Sequence, residues 1–113
     1  MAKSNKPIVW SLFAAGGTLA AFLAPVLVLL FLLAALGHAP GLLRYAQLHA
    51  FAAHGWGKLF LLTVIVLFLW HAAHRLRITL HDFGLRQDRI VAVIVYLAAA
   101  AGTALSVFYL VRI

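Results

Sequence analysis

An all-α integral membrane protein with three transmembrane helices is the fold class this sequence predicts, on three observations. The 113 residues are 66% hydrophobic and only 10% charged, against about 25% charged in an ordinary soluble domain. Three long apolar runs each reach the roughly 20 residues needed to cross a bilayer. Charged and aromatic residues gather where those runs end, as they do at membrane interfaces. Mean hydropathy is +1.09. The length allows one domain, residues 1–113, with spans at about 8–36, 57–80 and 90–111. Connections this short hold no separate water-filled catalytic domain.

The first span follows a polar lead, Met1 to Lys6, that carries two lysines. Pro7 suits the first turn of a helix, where its missing N–H costs nothing. No charge interrupts Ile8 to Leu36. Lys3 and Lys6 before an apolar run resemble a secretory leader, and Gly37-His38-Ala39 loosely resembles a cleavage site. The run is far longer than a leader's apolar core of about 7–15 residues, and Pro40 follows the cut, so the expectation is an uncleaved span. Ala14-Ala15-Gly16-Gly17-Thr18 and Ala20-Ala21 make one half small-sided. Gly17 and Ala21, four apart, offer a close approach to another helix. Pro25 lacks an amide donor and is expected to kink the helix near mid-membrane.

Gly37-His38-Ala39-Pro40-Gly41 reads as a turn. Leu42 to His54 has mixed polarity and fits an interfacial helix or the tilted start of the second span. Trp56 and Lys58 read as interfacial anchors, one by its amphipathic ring and the other by snorkelling. The second span then runs to about Leu80. Phe83 to Arg89 is the next connection, and Ile90 to Val111 the third span, closed by Arg112. Ala98, Gly102 and Ser106 repeat every four residues, a packing stripe for a neighbouring helix.

Three spans put the termini on opposite sides. Lys3, Lys6, Arg75, Arg77, Arg86 and Arg89 fall on the N-terminal side, and Arg44, Lys58 and Arg112 on the other. The positive-inside bias predicts a cytoplasmic N-terminus. That bias also accounts for the net charge of +7 without invoking nucleic acid. With no cysteine in the chain, disulfides, thiolate nucleophiles and cysteine-held metals or clusters are excluded.

Chemistry concentrates in Leu69-Trp70-His71-Ala72-Ala73-His74-Arg75-Leu76-Arg77-Ile78-Thr79-Leu80-His81-Asp82. Ionisable groups at membrane depth are expensive, so their presence there points to a site. On a helix His74 and His81 share a face, His71 lies one turn before His74, and Arg75 points about 100° away from His74. Two chemistries suit the cluster. A histidine within a span can ligate haem iron axially; His71, the deepest, is the candidate, and a partner chain would supply the second ligand. Alternatively, His74 and Arg75 can donate to a quinone carbonyl at the membrane edge, histidine being a residue type that can exchange a proton near neutral pH. Trp10 and Phe13, on one face of the first helix at the same level, would add flat walls and an indole donor. The plain alternative is a cationic anchor on phospholipid head groups, with His81-Asp82 as a helix-end pair and Trp10, Trp56 and Trp70 as interface anchors. His38, His49 and His54 read as interfacial, and a metal site built on them is not diagnostic by spacing. Asp82 and Asp88 are the only acids, so a carboxylate proton acceptor would have to come from another subunit.

The opening run Pro7-Ile8-Val9-Trp10-Ser11-Leu12-Phe13-Ala14-Ala15-Gly16-Gly17 resembles the start of the D subunit, a membrane anchor, of bacterial quinol:fumarate reductases built from four subunits. Ala24-Pro25-Val26 and the series Leu69-Trp70, His74-Arg75 and His81-Asp82 fall in the same register, and the likeness extends over nearly the whole chain. Arg77-Ile78 departs from that pattern, which has adjacent histidines there, and His71 stands where a histidine is not expected. The shorter, less acidic N-terminus is a third departure.

This resemblance implies a single membrane-anchor domain that is not catalytic by itself. It implies pairing with a second three-helix membrane anchor, the C subunit, in the bacterial inner membrane. An iron–sulfur protein (the B subunit) and a flavoprotein (the A subunit) would sit on the cytoplasmic face of the pair. Menaquinol would be oxidised where the anchors meet the iron–sulfur protein, its electrons passing through iron–sulfur clusters to FAD for reduction of fumarate to succinate. By position, Trp10, Phe13, His74 and Arg75 would line the quinone site, and no haem is expected. Two rivals stay open: a haem-b anchor of succinate dehydrogenase, kept alive by His71, and a structural membrane protein with no redox partner.

Overall fold

A computed structural model describes residues 6–113. Four α-helices follow in order: α1 (Lys6–Ala35), α2 (Tyr45–Ala53), α3 (Gly55–Asp82) and α4 (Asp88–Arg112), with a 3₁₀ turn at Gly41–Leu43 before α2. Helices α1, α3 and α4 are each long and apolar enough to cross a membrane. Lys3, one of the charges on the N-terminal side, lies outside the described residues. The Leu42–His54 stretch is a separate short helix. His54 ends it in extended backbone and caps α3, its Nδ1 accepting the Trp56 amide at 3.2 Å. Helix α1 is continuous through Pro25.

Both tight connections after long helices use glycine. Gly37 (φ +84°) and Gly84 (φ +97°) adopt the left-handed backbone that side chains rarely tolerate. At each, paired amides close the helix: Gly37 and His38 donate to Ala34 and Leu33, and Gly84 and Leu85 donate to His81 and Leu80. That is the double bond pattern by which a left-handed residue satisfies a helix's orphan carbonyls. The segment from Phe83 to Gln87 then suffices to turn the chain back into α4.

Helix α3 is the shared partner: α1, α2 and α4 all pack on it. The α1–α3 seam depends on the absence of side chains. A Cβ on Gly16 would lie 2.5 Å from the Leu67 carbonyl oxygen, and one on Gly17 would lie 2.8 Å from His71 Cε1. The approach therefore centres on Gly16 and Gly17, whereas Ala21 is exposed. Between α3 and α4 the buried residues are Ala73, Val95 and Ala99, with Leu69, Val91 and Tyr96 against them. Gly102 receives the Leu69 side chain. Ala99, not Ala98, occupies this seam, and Ala98 is exposed. A strict four-residue step drifts by about 40° per turn, so the packed face alternates steps of four and three through Val95, Ala99 and Gly102.

Four hydroxyls inside the spans are satisfied locally. Ser11, Thr63, Thr103 and Ser106 each donate to the carbonyl four residues earlier, which removes the cost of an unpaired hydroxyl in lipid. Buried apolar residues are few and mostly small: Ala52, Ala73, Val95, Ala99 and Leu110. The radius of gyration is 17.1 Å, against about 13 Å for a compact soluble domain of this length. Large apolar side chains such as Phe22, Phe31 and Val28 face outward, a surface suited to lipid or to neighbouring helices.

Candidate functional site

At the end of the bundle where α1 begins, α3 ends and α4 begins, the helices border a half-open cavity of about 460 Å³. Small-ligand sites fall in the range of roughly 300–1,000 Å³. Val9, Leu12 and Phe13 line it from α1, Tyr96 from α4, and Val66, Leu67, Trp70, His74 and Arg77 from α3. The α3 set follows from helical periodicity: Trp70, His74 and Arg77 stand at i, i+4 and i+7 and share one face. Most of the wall is apolar or aromatic. The polar groups converge at one end.

Those polar groups form one connected network. His74 Nδ1 lies 3.1 Å from the Tyr96 hydroxyl. Arg77 Nη1 donates to the same hydroxyl across a long 3.5 Å, and its guanidinium carbon sits 5.8 Å from the Tyr96 ring centre. Arg77 Nε donates to Asp88 Oδ1 at 2.8 Å, and Nη2 donates to Oδ2. This two-pronged pairing fixes the guanidinium plane and joins the end of α3 to the first residue of α4. The side chains of the pair are 33% and 41% exposed, so its Coulombic value is modest. Its geometric value is to aim Arg77 at Tyr96.

Aromatic rings hold the remainder. Phe13 packs edge-on against His74 and stacks on His71, both with centroids 4.5 Å apart. Trp70 stacks on Tyr96 at 5.8 Å. His71 Nδ1 is 3.1 Å from the Phe13 carbonyl oxygen. A carbonyl only accepts, so Nδ1 carries the proton and donates. The His71 ring is thus a packing piece between α3 and α1.

The structure brings Phe13 and His74, two of the sequence candidates, into the cavity wall. Trp10 is 67% exposed and Arg75 is exposed on another side of α3; neither lines the cavity. His71 lies behind Phe13, outside the lining. Sequence reasoning missed Arg77, Tyr96 and the inward role of Trp70. The first and last were accessible from their helical phase relative to His74. Tyr96 had no such signal, because its position depends on the α3–α4 register. Among the described residues, no three His, Cys, Asp or Glu side chains are grouped to hold a metal ion.

Known proteins match this sequence along nearly its whole length. The family model for the fumarate reductase D subunit matches residues 1–111. The chain is 36% identical to the fumarate reductase D subunit of Aliivibrio fischeri (strain MJ11) over 98% of its own length and 94% of that protein's. It is 37% identical to the protein of the same name from Vibrio parahaemolyticus, over 98% and 90%. With that of Mycobacterium tuberculosis (strain ATCC 25177 / H37Ra) it shares 44% identity over 90% and 83%. Coverage this complete, together with three spanning-length helices, means that the chain belongs to the D subunit family of fumarate reductases.

Proposed function

We propose that the chain anchors a quinol:fumarate reductase in the bacterial inner membrane, N-terminus cytoplasmic, and contributes one side of a menaquinol oxidation site. The observation that carries the site is the cavity itself. Phe13, Trp70 and Tyr96 offer flat walls to a ring, and His74, Arg77 and Tyr96 gather polar hydrogens at one end. A quinone presents a flat apolar ring with an oxygen at its edge, and each half of that shape has a counterpart here. On α4 the polar groups, Asp88 and Tyr96, belong to the N-terminal part of the helix, the level at which a head group would enter from the membrane edge.

In this reading His74 and Arg77 orient and polarise one quinone oxygen while the rings fix its plane. Arg75 and Trp10, which face outward, complete the pocket against partner chains: a second three-helix anchor, and an iron–sulfur protein that bears a flavoprotein. Electrons leave through the partners' iron–sulfur clusters and FAD, which reduce fumarate. Protons leave through partner groups and water, since Asp82 and Asp88 are the only acids in this chain and Asp88 is committed to Arg77.

The test is quinol-linked fumarate reduction by the assembled complex. Phe13→Ala, His74→Ala and Arg75→Leu should each lower quinol turnover while the complex keeps all its chains and its turnover with an artificial electron donor. Full quinol turnover in assembled Phe13→Ala and His74→Ala complexes would remove the cavity from the reaction. Full turnover in Arg75→Leu would remove Arg75 alone.

The haem-b alternative rests on His71. That ring is stacked on Phe13 and bounded by α1 at Gly17, where a Cβ would lie 3.7 Å from Nε2, which favours the haem-free reading. A reduced-minus-oxidised visible spectrum of the purified complex decides between them, a b-type band returning His71 to candidacy as a ligand.

A further inference from the structure

We infer that the Tyr96 hydroxyl is a positioning group that sets the tautomer of His74, holding its proton on Nε2 so that it acts as a hydrogen-bond donor at the cavity wall. Among the described residues, His74 Nδ1 is the acceptor placed to take the Tyr96 hydroxyl hydrogen, and this points to one arrangement. Arg77 carries only donors, so toward it the Tyr96 oxygen can only accept. With the guanidinium on one side, the hydroxyl hydrogen is directed away from the cation. His74 Nδ1, 3.1 Å distant, is the partner the structure provides for it. Both Asp88 oxygens are already engaged by Arg77. A hydroxyl that donates to Nδ1 requires a bare lone pair there, and the neutral ring then keeps its hydrogen on Nε2.

The dependence runs in sequence: Asp88 fixes Arg77, Arg77 orients the Tyr96 hydroxyl, and Tyr96 fixes His74. His71, one turn earlier, is set the opposite way, because its Nδ1 must donate to the Phe13 carbonyl. Two histidines one turn apart on one helix are therefore assigned different tautomers by their partners. Resting on the quinone reading above, the ligand that an Nε2–H donor takes is the carbonyl or hydroxyl oxygen of a quinone or quinol.

The experiment is ¹⁵N NMR of the histidine rings in the purified complex, with His74 assigned by the signals lost in His74→Gln. Quinol kinetics are measured on the same preparations. Wild type should show His74 protonated on Nε2. Tyr96→Phe keeps the ring that stacks on Trp70 and removes only the hydroxyl; it should move His74 toward the Nδ1–H form. It should also raise the quinol KM by roughly 2- to 10-fold, the range of one hydrogen bond, with a smaller change in kcat. In a His74→Gln background, Tyr96→Phe should add nothing further. Arg77→Leu, which leaves the hydroxyl but removes the cation, should mix the two tautomers, and it serves if Tyr96→Phe does not assemble.

An Nδ1–H form of His74 in the wild type, or a tautomer unchanged in both variants, overturns the inference. So does a Tyr96→Phe effect on KM that persists undiminished without His74. Failure of the quinone reading looks different: the tautomer responds to Tyr96→Phe, yet quinol kinetics are indifferent to Tyr96→Phe and His74→Gln alike. That result would leave the tautomer assignment supported.

Discussion

His71 engages Phe13 of helix α1 in two ways: ring on ring at 4.5 Å, and Nδ1 to the backbone carbonyl oxygen at 3.1 Å. The stack sets the lateral position of the two helices and the hydrogen bond sets their register. Phe13 then turns its ring edge to His74, so the seam that closes the bundle also shapes the cavity.

Removing that clasp should loosen α1 without touching α4. His71→Leu loses the stack and the donor, and the interhelical hydrogen bond alone is worth about 0.6–2 kcal/mol in membrane proteins. Unfolding in mixed micelles should show a loss of at least that order. A variant as stable as wild type would show that α1 is held by Gly16 and Gly17 alone.

Gly16→Val tests the other half of the seam. The obstructing atom is the Leu67 backbone oxygen, which cannot swing aside as a side chain end can. Overpacking of this kind costs about 1–3 kcal/mol and should lower the Tm of the detergent-solubilised protein. Gly41, whose Cβ position is open space, is the control: Gly41→Ala should leave Tm within the small range of surface substitutions.

The hairpin of α2 on α3 makes a sharper demand. A Cβ on Gly57 would overlap the Phe51 carbonyl, so Gly57→Ala should push α2 off α3. Spin labels placed on α2 and on the start of α3 would report the longer distance. An unchanged distance would mean that α2 is held by contacts other than this approach.

For Arg77 and Asp88 a double-mutant cycle with Arg77→Ala and Asp88→Ala should give a coupling in the low range usual for partly exposed pairs. It should shrink as salt is raised. A coupling well above that range would place the pair in a drier setting than its exposure in this chain indicates, as burial under a partner protein would.

The spans were readable from the sequence because membrane crossing is set by length and hydropathy, and both are local. So was the turn at Gly37, where composition and position agree. Seam residues were harder. Small residues are abundant in α1 and α4, and a strict four-residue step favoured Ala21 and Ala98 over Gly16 and Ala99, since it ignores the drift of a 3.6-residue helix. Within the cluster the sequence showed which residues carry chemistry but not which way each faces. Arg75 and Arg77 are alike in composition, and only the phase relative to α1 and α4 separates an outward guanidinium from one inside the wall. Tyr96 lay beyond reach because antiparallel register between two spans is a tertiary quantity.

Helix α3 as the common partner carries a consequence for biogenesis. Phe13 must wait for a residue 58 positions later, which at about 5–20 residues per second of synthesis is a delay of roughly 3–12 s. Throughout that interval the glycine face of α1 is in the membrane with nothing from its own chain to cover it. Any small-faced helix already present can borrow that surface first. The order in which the subunits of the complex are synthesised thus becomes part of how the bundle is assembled.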